Sequence, residues 1–184
     1  MDLNRYIDFK VMPSSGGATT LPGPIAASRL VSIIHGVMSD TGLKFALAFP
    51  FIEQKGSSFR SVRLFATDIE SIEVLISELD KNSFVEKSIQ IGFPRSVPSD
   101  FDGKWVSYRR YRIPSRSAGK PRFRIKRMKY LEDNLIWLQM VSSTNKNSFS
   151  IPILVEEANP SIDKGVPTSY GLSRADSRIA LPVL

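Results

Sequence analysis

The 184-residue chain has no cysteine and a single histidine, His35. Without cysteine there are no disulfides, no thiolate metal ligands and no thiol nucleophiles. With one imidazole, a zinc site built on several histidines is excluded. The acidic residues fall mainly in one helical segment and in loop-like stretches, and no compact carboxylate set offers itself to a magnesium ion. Neither a metal nor a cofactor is expected. Long apolar runs are also missing: the stretch 45–52 is too short to span a bilayer and is broken by Pro50. The opening Met-Asp-Leu-Asn-Arg-Tyr lacks the basic-then-apolar pattern of a secretory signal. A soluble protein of the reducing cytoplasm, with no membrane partner, is the expectation. No Gly-x-Ser-x-Gly elbow occurs, so a Ser–His–acid acyl-transfer triad is not suggested.

The most informative absence is local. From Lys104 to Leu131 there is no Asp or Glu, against eleven Lys or Arg. The rest of the chain holds 14 basic and 18 acidic residues, a formal charge of −4, so the overall +7 comes from this one segment. A single-sign block repels itself unless a polyanion neutralises it. Trp105, Tyr108, Tyr111, Phe123 and Tyr130 interleave the charges and can stack on bases or pack into a core. Nucleic acid is the partner this composition favours. The plainer reading is a solvated basic face.

Residues 6–12 read as a strand, with Ile7, Phe9 and Val11 alternating against Asp8 and Lys10. Residues 13–24 have loop composition. From 25 to 38, Leu30, Ile33, Ile34 and Val37 make a helical stripe that Gly42 ends. Residues 45–51 and 61–66 read as strands, 69–79 as an acidic amphipathic helix and 88–92 as a short strand. This order, strand-helix-strand-strand-helix-strand, predicts an α+β protein with a ferredoxin-like N-terminal βαββαβ domain over 1–100. A smaller α+β domain over 101–184 follows, with strands at 105–113, 135–142 and 149–155 and a hairpin connection at 143–147. Segment 120–131 is ambiguous. Arg122, Arg124 and Lys126 alternate with apolar residues as in a strand, whereas Pro121 suits the first helical position and Ile125, Met128 and Glu132 share a helix face. We take it as an arginine-rich helix.

His35 is the one side chain whose type titrates near neutrality. It reads either as a structural histidine or as a general base. RNA carries its own nucleophile, the 2′-OH, so one positioned base can start strand cleavage without a metal, giving a 2′,3′-cyclic phosphate and a 5′-OH. Ser142, Ser143 and Thr144 at the hairpin mouth could orient that hydroxyl, although such residues are common in turns.

The closing run Ser169-Tyr-Gly-Leu-Ser173, with Ala-Leu-Pro-Val-Leu at the end, resembles that of the type I-F CRISPR repeat-processing endoribonucleases, the subtype-f branch of the Cas six proteins. Agreeing pieces occur in order: a first strand ending at Pro13, Leu-Val-Ser-Ile-Ile-His-Gly leading into Ala-Leu-Ala-Phe-Pro50, an Ile-Gly-Phe-Pro strand end and the arginine-rich segment. The resemblance spans nearly the whole chain. It implies a metal-independent endoribonuclease that binds the repeat hairpin of precursor CRISPR RNA, cleaves 3′ of the stem and stays on the mature crRNA beside other subunits of a Cascade-type complex. It implies His35 as general base, Ser142 holding the reacting nucleotide and Tyr170 near the scissile site. Phe149 would stack under the last base pair and Arg110 would read a stem guanine. Arg109, Arg112, Arg116, Lys120, Arg122, Arg124, Lys126, Arg127 and Lys129 would complete the RNA surface. Arg112 stands where the family often has glutamine, and the stretch after the basic segment is trimmed to Leu131-Glu-Asp-Asn134. Some members place their histidine at the position of Ser39, four residues on and on the same helix face, so the base has two alignments. The alternative from another class is a non-catalytic RNA-hairpin-binding subunit of a ribonucleoprotein. In the CRISPR endoribonuclease reading, loop 13–24 and the exposed end of the acidic helix would be free for the other protein subunits. A ferredoxin-like small-molecule enzyme leaves the basic block unexplained.

Overall fold

The computed structural model describes residues 1–12, 23–50, 61–113, 119–129, 135–141 and 147–184. The described residues form a mixed α+β protein with two antiparallel sheets and four helices. The first sheet is built from β1 (Arg5–Val11), β2 (Ala46–Ala48), β3 (Ser61–Ala66) and β4 (Ile89–Ile91), in the order β2-β3-β1-β4, and the two-residue β5 (Arg95–Ser96) also pairs with β1. Ile7, Phe9 and Val11 alternate into the core, as the period-two pattern requires. On the other face Asp8 lies opposite Arg63 across the β1–β3 ladder and accepts two hydrogen bonds from its guanidinium, at 2.6 and 2.9 Å.

Helix α1 (Gly23–Thr41) buries Ala26, Ala27, Leu30, Val31, Ile34 and Met38, a stripe repeating every three to four residues. It starts two residues earlier than the stretch 25–38 that carries its apolar stripe, because Pro24 suits a first turn, where an N–H has no intrahelical partner and its absence costs nothing. It runs on to Thr41. Gly42 then turns with φ +73° and donates its N–H to the Met38 carbonyl at 3.0 Å, closing the helix. Helix α2 (Ile69–Leu79) is capped by Asp68, whose carboxylate accepts the Ser71 N–H at 2.7 Å, and it buries Ile72, Leu75 and Leu79.

A short helix, α3 (Ser83–Ser88), precedes β4, in a stretch where the sequence pattern assigned no element between residues 79 and 88. Six residues are too few to display a stripe. Its one local signal is Asn82, whose side chain accepts the N–H groups of Phe84 and Val85.

The second sheet contains β6 (Trp105–Arg110), β7 (Leu135–Val141), β8 (Ser148–Glu157) and β9 (Leu181–Pro182), in the order β7-β8-β6-β9. Strand β6 ends at Arg110, three residues before the expected end. Helix α4 (Pro121–Lys129) settles the ambiguous basic segment as a helix, with Pro121 in its first position. The division expected at residue 100 falls between β5 and β6. Both sheets nonetheless contribute to one cluster of buried apolar side chains, from Ile7, Phe9, Phe45 and Phe65 to Leu138, Ile151, Ile153 and Leu181. Helix α1 lies along the edge of β7, where the Ser28 hydroxyl accepts the outward Gln139 N–H at 3.1 Å and so caps an otherwise open strand.

Candidate functional site

His35 lies within α1, six residues before its end, half-buried and facing the C-terminal segment. Its Nδ1 is 2.7 Å from the backbone carbonyl of Ser169. A carbonyl oxygen can only accept, so Nδ1 carries the proton in this contact. In the neutral ring the lone pair then sits on Nε2, which is the tautomer a general base needs for its outward nitrogen. The Tyr170 ring stacks on the imidazole, with centroids 3.9 Å apart and planes 19° from parallel. One backbone carbonyl and one aromatic face therefore hold the ring in position and in rotation.

Both partners come from a single tight loop. Thr168 N–H donates to Leu172 O at 2.9 Å, Gly171 N–H donates to Thr168 O at 2.8 Å, and the Thr168 hydroxyl accepts the Leu172 N–H at 3.2 Å. Gly171 sits at φ +71° against the edge of β2, and its carbonyl accepts the Leu47 N–H at 2.7 Å. A Cβ there would stand 3.0 Å from both the Phe45 carbonyl oxygen and the Leu47 Cβ, so only glycine fits without displacement. Two residues later Ser173 donates its N–H to Tyr108 O at 2.8 Å, on the edge of β6. Its buried hydroxyl accepts from Ser107 at 2.8 Å and from the Ile179 N–H at 3.1 Å. The segment 168–173 thus bridges the edges of the two sheets and presents Ser169 and Tyr170 to α1.

The basic residues divide into those already committed and those left exposed. Arg109 makes a two-point ion pair with Glu156, at 2.9 and 3.1 Å. These hydrogen bonds hold the Glu156 carboxyl below the usual carboxylate range, against the partial burial that pushes it up. The Arg127 guanidinium lies between the rings of Phe123 and Tyr111, 4.7 and 5.0 Å from their centroids, and donates to the Arg112 carbonyl at 2.6 Å. It fastens α4 to the end of β6 by cation–π contact. Arg110, Arg112, Lys120, Arg122, Lys126 and Lys129 are exposed. Among the described residues no carboxylate pairs with Arg122, Lys126 or Lys129. Arg124 is half-buried on the same helix. Phe149, on β8 opposite Met140, is half-buried and packs on the shared core. Ser39 is exposed on α1. Ser142 and Arg116 lie outside the described residues.

No family model matches this chain, and no curated protein matches it. The site therefore stands on its geometry. Among the described residues no group of three or more His, Asp or Glu side chains is placed to hold a metal ion, and no helix is long and apolar enough to cross a membrane. An open cavity of about 870 Å³ lies elsewhere, bounded by Asn4, Arg5, Ser96, Trp105 and Lys164 among others, and touches neither His35 nor Tyr170. The Ser169 carbonyl is the site component the sequence pattern did not disclose. No side-chain signal could have revealed it, since the interacting group is main chain.

Proposed function

We propose that this chain is a metal-independent endoribonuclease that binds the repeat hairpin of precursor CRISPR RNA and cleaves it 3′ of the stem. The observation that carries this reading is the His35 ring, held by the Ser169 carbonyl at Nδ1 and by the Tyr170 face, with Nε2 left as the basic nitrogen. Nε2 takes the proton of the 2′-OH, and the resulting oxygen attacks the adjacent phosphorus. The P–O5′ bond breaks, leaving a 2′,3′-cyclic phosphate and a 5′-oxygen that is protonated from solvent. Tyr170 positions the base. The cations of α4 neutralise the phosphates of the stem, Arg110 reads a stem guanine, Phe149 stacks under the last base pair, and Ser142 orients the reacting ribose.

The strand order β2-β3-β1-β4, with a helix after β1 and another after β3, supports reading the first sheet as ferredoxin-like, the scaffold that the resemblance implies. In this reading the enzyme works in the cytoplasm. It keeps its product and serves as the crRNA-bound subunit of a Cascade-type complex, because binding energy invested in the stem is not returned by cleavage next to it.

The test is 5′-labelled repeat RNA mixed with protein in EDTA, wild type beside His35→Ala. Cleavage by wild type alone, with both proteins still shifting the RNA, is the expected result. Binding without cleavage by either would replace the enzyme with a non-catalytic hairpin-binding subunit. Equal cleavage by both would move the base to another residue, Ser39 and Ser142 being the next to substitute.

A further inference from the structure

The outer face of the second sheet holds an aromatic surface that the reaction at His35 does not use. Along β7, Ile136, Leu138 and Met140 turn inward, while Trp137, Gln139 and Val141 turn outward. Trp137 is 44% exposed, and no described ring packs on it. An indole left this open on a flat sheet face is a large apolar surface still to be covered.

Its neighbours indicate the kind of ligand. Trp137 lies across the ladder from Pro152, and on the far side of Pro152 its carbonyl accepts the Tyr111 N–H at 2.8 Å. Tyr111, Pro152 and Trp137 thus form one cross-strand row. The Tyr111 end of the row is covered: Tyr111 packs with Leu154, Ile113 and Leu135, and carries the Arg127 guanidinium of α4. The Trp137 end is bare. Two strand spacings, about 9–10 Å, separate the exposed indole from the point where α4 is fastened. That slightly exceeds one Debye length at physiological salt, about 8 Å, so α4 reaches the surroundings of Trp137 only as a screened field that strengthens as salt is lowered. Five of the nine residues of α4 are Lys or Arg and none is acidic.

We infer that Trp137 is a stacking platform for unpaired nucleotides flanking the RNA stem, whose phosphates are drawn there by α4. This deepens the RNA-binding reading proposed above and rests on it. The ligand chemistry is a flexible single strand with accessible base faces and a phosphate backbone. A stacked base covers the indole while its phosphates answer the adjacent positive charge, and base–aromatic stacking is tolerant of sequence. An apolar protein segment would cover the ring but gain nothing from α4.

The test uses the full chain in EDTA with three RNAs: a blunt GC stem-loop, the same stem-loop with four unpaired uridines on each side, and single-stranded oligouridylate. Trp137→Ala is expected to weaken binding of the flanked hairpin by about 5- to 150-fold, the range for removing one stacked base, and to leave the blunt hairpin unchanged. Trp137→Phe is expected to restore most of that affinity. Oligouridylate should quench the fluorescence of Trp105→Phe, whose remaining indole is Trp137, but not that of Trp137→Phe. Equal affinity of wild type and Trp137→Ala for the flanked hairpin overturns the proposal. So does an equal weakening on both hairpins, or a dimer that Trp137→Ala converts to monomer, which would make the face a protein interface. Failure of the nuclease reading is registered separately, as absence of cleavage of repeat RNA by wild type.

Discussion

Gly171 fixes where two other residues stand. Its positive φ and its closeness to the Phe45 carbonyl oxygen and the Leu47 Cβ leave no room for a side chain. Gly171→Ala forces a β-carbon into left-handed backbone, at about 1–2 kcal/mol, and drives it against a main-chain oxygen that cannot withdraw. The expected outcome is a lower Tm together with a loss of cleavage larger than the loss of RNA binding, since Ser169 O and the Tyr170 ring move off His35. Thermal melts paired with single-turnover cleavage check both parts. Glu156 offers a second residue-scale prediction. Arg109 holds its carboxyl below the unfolded value, so the pair contributes stability above the unfolded pKa and loses it as pH falls through the lower folded value. Glu156→Gln should therefore be less stable than wild type at pH 7, with the gap closing below about pH 4, near the ordinary glutamate range. Urea melts across that range measure it.

At the scale of an element, α4 combines five cations with weak attachment to the body of the protein. Arg127 supplies its anchor, through two rings and the Arg112 carbonyl, while Arg122, Lys126 and Lys129 point to solvent. Exposed cations and the anchor should separate in a salt titration of RNA binding. Removing two exposed cations, as in Arg122→Gln with Lys126→Gln, is expected to flatten the slope of log K against log salt by about 0.7–0.9 for each phosphate no longer neutralised. Arg127→Lys keeps the charge but gives up the planar stack and the forked donors. It is expected to lower affinity while leaving the slope near that of wild type. A slope unchanged by the double substitution would take α4 off the phosphate backbone.

For the whole molecule, the governing fact is that two sheets share one buried cluster, joined along their edges by residues 171–173 and along β7 by α1. Neither sheet closes its own core. Unfolding is therefore expected to be one cooperative transition. Far-UV circular dichroism reports on all the helices, including α2 on the first sheet and α1, which packs on both, whereas both tryptophans, Trp105 and Trp137, lie on the second sheet. The two signals should trace the same urea midpoint. Separate midpoints would mean that the sheets fold independently.

Short-range regularities were legible in the sequence. The stripe of α1, the apolar spacing of α2, the alternation in β1 and Pro121 at the head of α4 all act within a few residues. The concentration of positive charge in 104–131 is a property of composition and needs no fold. Elements too short to carry a period escaped: α3, β5 and β9 are set by a cap or by neighbours rather than by a pattern. What only the tertiary structure decided is who meets whom. His35 finds the Ser169 carbonyl 134 residues away, and Arg109 finds Glu156 rather than solvent 47 residues away. Alternation places Trp137 on the outer face of its sheet, but not in one cross-strand row with Pro152 and Tyr111. Periodicity tells a residue which side of its own element it occupies. Its partner is chosen by the packing of the whole core, in which distant segments compete for the same space.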